Sequence, residues 1–149
     1  MQDARDIYQA HLDLVSRALW DRDYETIIAV NRFPHIIRFS DGNRQYDGPD
    51  DFAVMAARFR DHLDGLGATG YHRVCEHASF DPLDRHRITG GHWTYILRGG
   101  NYLTDPYNCE MVLVHEGAEW MIADIVVPPL RHGIPSAKAH PENREGQIQ

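Results

Sequence analysis

Proton transfer needs an acid and a base that face the same small volume, and in this chain Glu110 and His11 are the side chains whose surroundings suit that work. Glu110 lies in a strand-like run, where Asn108, Val112 and Val114 share its face by alternation. Counting across the hairpin signal Gly99-Gly100-Asn101 puts Trp93, Tyr95 and Leu97 on that face too. A carboxyl group among such neighbours is desolvated, which raises its pKa toward the range useful at neutral pH. The alternative is a Glu110 that points outward or pairs with an arginine at a dimer surface, and one β-bulge would be enough to exchange the two. His11 falls on the apolar side of a helical stripe. It reads either as a core histidine bonded to a backbone carbonyl or, if it faces a cavity, as a proton shuttle opposite Glu110.

Around this pair the expected ligand contacts are Trp93, Tyr95, Asn108, Phe39, Phe59 and Met121. Trp93 and Tyr95 could stack on a planar ligand, with the phenol as a polar handle, or they could fill a core. Asn108 could orient a ligand carbonyl or serve a bulge. His72, His77, His86 and His92 are numerous but lack the spacing of a metal site, so no metal is expected. The serines have no nucleophile-elbow context, and no glycine-rich phosphate loop occurs, so no cofactor is expected either.

The elements that must position these residues follow from the hydrophobic period. Asp3 can cap a helix with the stripe Ile7, His11, Leu14, Val15, Ala18 and Leu19. A second, short helix follows Asp23 and stops before Pro34. A strand over 35–40, the turn signal Asp41-Gly42-Asn43 and a short returning strand come next. Pro49 opens a third helix whose apolar face is Phe52, Met55, Ala56, Phe59, Leu63 and Leu66. Four long strand-like runs then form a meander: 71–80, 86–98, 103–115 and 119–127. The last is apolar on both faces. Met121, Ala123, Ile125 and Val127 are expected inside, and Trp120, Ile122 and Val126 outside against a second copy of the chain. Asp124 then stands on the outer row as a charge that needs a partner such as an arginine.

Composition narrows the class. The chain has 149 residues and a formal net charge of −7, which fits one domain and argues against nucleic acid, whose binders carry a basic stripe. It has no apolar run long enough for a membrane span and no visible signal peptide, so a cytoplasmic protein is expected. Cys75 and Cys109 sit inside strand-like runs and read as small buried hydrophobes. Residues 1–130 read as a single domain, and 131–149 as a polar tail, mobile or lying as an arm across a partner.

The order of elements from Asp3 to Val127 resembles the NTF2-like (SnoaL-like, ketosteroid isomerase-like) superfamily. The local features that carry the resemblance are Arg22-Asp23-Tyr24-Glu25, Tyr46-Asp47-Gly48 ahead of Pro49, and Glu116-Gly117-Ala118-Glu119-Trp120. The resemblance implies an α+β cone, with three helices packed on a strongly curved mixed or antiparallel sheet, a small-molecule pocket and homodimerisation through the sheet. Set against the isomerase pattern, the helix-one tyrosine position falls on Val15, the aspartate base on Phe39 or Ser40, with Asp41 only if the register slips, and the second acid on Glu110. The expected function is binding of a small, largely apolar molecule in the cone, with cofactor-free acid–base chemistry of isomerase, dehydratase or cyclase type as the enzymatic reading. A non-catalytic binding module or a dimeric interaction module is the alternative.

Overall fold

The computed structural model describes residues 2–127, so the expected tail at 131–149 lies outside the described residues. Three helices pack on one face of a curved, open, seven-stranded mixed sheet. Helix α1 (Ala4–Trp20) is started by Asp3, whose carboxylate accepts from the Asp6 N–H at 2.8 Å. Helix α2 (Tyr24–Ala29) is capped in the same way by Asp23. Helix α3 (Pro49–Gly65) has proline at its first position, while Asp51 reaches back to accept from the Gly48 N–H. Most of the apolar stripes read from the sequence are buried, with His11, Val15, Ala18 and Leu19 on α1 and Phe52, Ala56 and Leu63 on α3, but Leu14 and Leu66 are exposed and Leu12, outside the expected stripe, is fully buried.

The strands are β1 (Asn31–Phe39), β2 (Gly42–Tyr46), β3 (Gly70–Asp81), β4 (Asp84–Arg98), β5 (Asn101–Tyr102), β6 (Tyr107–Glu116) and β7 (Glu119–Val126). Their order across the sheet is β2-β1-β7-β6-β4-β3, with β5 on β4. The β1–β7 pair is parallel and the others are antiparallel. The third expected run is broken into β5 and β6. Pro106 sits in the break, where a ring in place of an N–H cannot continue a ladder. Leu97 pairs with Tyr102 but Thr94 pairs with Tyr107, so four residues on one strand stand against two on the other. An even excess leaves the alternation of faces unchanged.

Parity does change in β7. Val112 pairs with Asp124 while the next residue, Leu113, pairs with Ile122, leaving Ala123 as an inserted residue. Beyond this bulge Ile125 and Val127 face the helices; before it the inward residues are Trp120 and Ile122. The expected outer row of Trp120, Ile122 and Val126 is therefore corrected. Ile122 is 2% exposed in the core, Trp120 packs on the rings of Phe80 and His115, and only Val126 looks outward. Met121 changes sides with them and points away from the face that Ile122 joins. Asp124 does meet an arginine: Arg38 of the neighbouring β1 donates from Nε to both carboxylate oxygens at 3.1 Å.

Candidate functional site

The concave face of the sheet and the helices form a partly open cavity of about 150 Å³. Val15 and Leu19 of α1 and Ile27 of α2 form one wall. Phe52, Met55, Ala56 and Phe59 of α3 form a second, and Ile37, Phe39, Ile125 and Val127 of β1 and the β7 end form a third. The fourth wall is polar and belongs to β3, β4 and β6. There Tyr71, Arg73, His92, Thr94, Tyr107 and Cys109 line the space. The register sets five of them in two rows that run across the strands: Arg73 pairs with Thr94, which pairs with Tyr107, and His92 pairs with Cys109 on one side and, on the other, with Cys75, which is outside the lining. All six members of these rows alternate with outward residues, so each strand contributes one side chain per row.

One close approach fixes which face of β4 is concave. Gly90 lies under the ring of Tyr8 from α1. A Cβ added there would come within 2.6 Å of the His77 carbonyl oxygen and 2.7 Å of that ring. Tyr8, two helical turns before Val15, reaches past the glycine to His92, with its hydroxyl hydrogen-bonded to Nδ1 at 2.7 Å. Residues 92, 94 and 96 therefore face the helices, and 93, 95 and 97 face away.

Charge in the cavity is confined to one group. Burial, aided by the positive charge of Arg73, holds the His92 pKa down to about 3, so its imidazole is neutral. Burial pushes the Cys109 thiol up to about 11 against the opposing pull of Arg73. It raises the phenols of Tyr71, Tyr107 and Tyr8 in the same sense. Arg73 is anchored rather than ion-paired: Nε donates to Ser16 Oγ at 2.8 Å and Nη2 to the Leu12 carbonyl at 3.4 Å. Its side chain also lines an open groove of about 760 Å³ between α1 and β3, where Asp13, Arg17 and Asp21 are the other charged residues.

The residues singled out from the sequence separate. Phe39 and Phe59 line the cavity. Glu110, Trp93, Tyr95 and Asn108 do share one face, with Trp93 opposite Asn108, but it is the convex face. The expectation of Glu110 in the cup is thereby corrected: the carboxylate is exposed and takes no part in the cavity, and Trp93, Tyr95 and Asn108 stay outside with it. The Asn108 amide instead donates to Glu76 Oε1 at 3.1 Å. Met121 is also absent from the lining. His11 is buried but lies outside the cavity; burial foremost and Arg73 second hold its pKa down to about 4. The backbone of Val30 and Trp120 approaches its ring without forming a well-shaped hydrogen bond. Glu110 and His11 therefore do not converge on a common atom. The polar wall of Arg73, His92, Thr94, Tyr107 and Cys109 went unread, although the Gly90-Gly91 pair signalled a close approach on β4. Among the described residues no group of three His, Cys, Asp or Glu side chains is arranged to hold a metal ion.

Solved structures place this architecture. An NTF-2 like protein of unknown function from Shewanella oneidensis matches with a TM-score of 0.62 at 10% identity, covering 83% of this chain and 98% of that one. Aln2 from a Streptomyces species matches with a TM-score of 0.63 at 11% identity, over 82% of this chain and 87% of the other. A Nostoc punctiforme protein of unknown function described as having a cystatin-like fold gives 0.61 at 10% identity, over 88% and 92%. The chain has the NTF2-like fold. Neither family models nor curated protein sequences give a match. Identities this low carry the NTF2-like architecture alone and leave chemistry to the cavity. Among the described residues no helix is long and apolar enough to cross a membrane.

Proposed function

We propose that this NTF2-like chain binds a small, largely apolar molecule in the cone and does so as a binding module. The observation that carries this is the cavity itself: three apolar walls, one neutral polar wall with a single cation, and no carboxylate among its lining residues. Acid–base turnover of the isomerase kind wants a base whose pKa lies near the working pH. His92 is far below that range, and neither Glu110 nor His11 reaches the space. A volume near 150 Å³ accommodates about one six-membered ring, the size of cavity known to take up benzene.

Thermal unfolding in the presence of single-ring probes such as toluene and benzaldehyde tests the reading. Saturation at a hundred times Kd stabilises by about 2.7 kcal/mol, which raises the melting temperature by several degrees for a chain of this size. Ala56→Phe, which fills the space from α3, should remove the shift. No shift with any ring-sized probe would overturn it.

The homodimer is a second reading, with Val126 kept from the expected outer row and Trp120 and Ile122 dropped from it. On the convex face Val74 (48% exposed) pairs across β3 and β4 with the half-buried Trp93, beside Tyr95, while Val126 (39% exposed) stands two strands away behind Glu110 and Asn108. Adjacent apolar residues on such a face favour a second copy of the same chain. Light scattering at micromolar concentration that returned the monomer mass would end this reading.

A further inference from the structure

We propose that the molecule held in the cone is a small monocarboxylate, its carboxylate taken by the row Arg73, Thr94 and Tyr107 and its ring or short chain by the apolar walls. The inference rests on the small-molecule reading above and adds the chemical class.

The row is the starting point. Arg73, Thr94 and Tyr107 are consecutive register partners on β3, β4 and β6, and all three line the cavity. Neighbouring strands lie about 4.8 Å apart, so the three side chains start from adjacent positions on one wall. Each can donate to an acceptor. Tyr107 keeps its proton because burial raises its pKa well above the ordinary value. The wall is therefore a set of donors with one positive charge and no resident anion.

Arg73 is held in place for such a partner. Its Nε and Nη2 are engaged by neutral acceptors, Ser16 Oγ and the Leu12 carbonyl, while Nη1 has no hydrogen-bond partner among the described residues. Nor does Arg73 form an ion pair among the described residues, in contrast to Arg22, Arg32 and Arg38, which sit on carboxylates. Arg73 is half-buried, and a carboxylate bound to it forms a charge-assisted hydrogen bond about twice as strong as a neutral one.

Charge and size choose among anions. One cation suits a monoanion; a phosphate ester carries more charge and is normally met by several donors of positive charge. About 150 Å³ leaves room for one ring or a short chain, which excludes nucleotides and long-chain acids. Cys109 and His92, neutral on the adjacent row, add polarity without repelling the anion.

Isothermal titration of the full chain at pH 7 with three probes of one shape, benzoate, benzamide and toluene, decides the matter. Benzoate is expected to bind at least about tenfold more tightly than benzamide, the margin of a charge-assisted over a neutral contact. Arg73→Met should abolish that preference, whereas Arg73→Lys should keep part of it. Should Arg73→Met fail to fold, Tyr107→Phe retains the cation and is expected to narrow the margin of benzoate over benzamide several-fold; an unchanged margin would overturn the row as the carboxylate site. Equal or tighter binding of benzamide overturns the carboxylate assignment and leaves the small-molecule reading standing. Failure of all three probes overturns both.

Discussion

The two faces of one sheet make the instructive contrast in this molecule. Along β4 the concave residues are His92, Thr94 and Ile96, all buried, and the convex ones are Trp93, Tyr95 and Leu97, each partly exposed. Along β6 the concave set is Cys109, Met111 and Leu113, and the convex set includes Asn108, Glu110 and Val112. The larger aromatic side chains of β4 are on the outside. Curvature explains this: side chains on the concave face converge and must leave space for helices and cavity, whereas those on the convex face diverge and have room. Size and hydrophobicity therefore point to opposite faces here, and close packing under Tyr8, not apolarity, decides which face is the core.

Acid should expose the buried side first and most strongly. His11, His35 and His92 have pKa values held by burial at about 4, 4 and 3, below the ordinary 6.5 that each regains on unfolding. Between 6.5 and those values the unfolded chain binds more protons, so their stabilising contribution is complete above about pH 6.5 and is lost as pH falls toward 4. Each histidine contributes up to about 1.4 kcal/mol per pH unit, and the three together about 4. Urea titrations at pH 7, 6 and 5 measure the slope, and His35→Phe should reduce it by about a third. A flat profile over that range would show that these rings are not held neutral.

Neighbouring positions of β6 test the same contrast by truncation. Leu113→Ala should cost about 2–5 kcal/mol, because it opens a void in a fully buried cluster, while Val112→Ala should cost under about 1 kcal/mol. Equal losses in denaturant unfolding would mean the faces are not as unlike as their burial. At Gly90 the addition of a single methyl should cost about 1–3 kcal/mol, since a Cβ has the His77 carbonyl and the Tyr8 ring in its way. Gly90→Ala that leaves the melting temperature unchanged would contradict the close approach. The smallest effect belongs to the convex carboxylate. Glu110→Gln should alter stability by less than about 0.5 kcal/mol and leave probe binding in the cavity untouched. A large loss of binding would return Glu110 to the site.

The helices were legible because their signals are local: Asp3 and Asp23 as caps, Pro49 as an opening residue, and stripes of period 3.6 on α1 and α3. The grouping of Glu110 with Asn108, Trp93 and Tyr95 was legible too, since alternation across the hairpin links them and the four-against-two break before β6 keeps the parity. The cavity was less so. Phe39 and Phe59 line it, but its polar wall sits on residues that look unremarkable in one dimension: an arginine, a threonine and a cysteine between larger neighbours.

From its sequence alone this chain determines three helices, the long strand runs and their order, and with them the NTF2-like architecture, because capping, period and turn chemistry act over a few residues. Two things were decided only by the tertiary structure. One is the face that each strand turns to the helices, set by the contact of Tyr8 with Gly90 and by the single inserted residue Ala123 in β7. The other is the meeting of Arg73, Thr94 and Tyr107 in one row, which register across three strands alone brings about. The side-chain period of a strand is two, so a shift of one residue, which hardly changes the pattern along the sequence, exchanges the inside of the sheet for the outside.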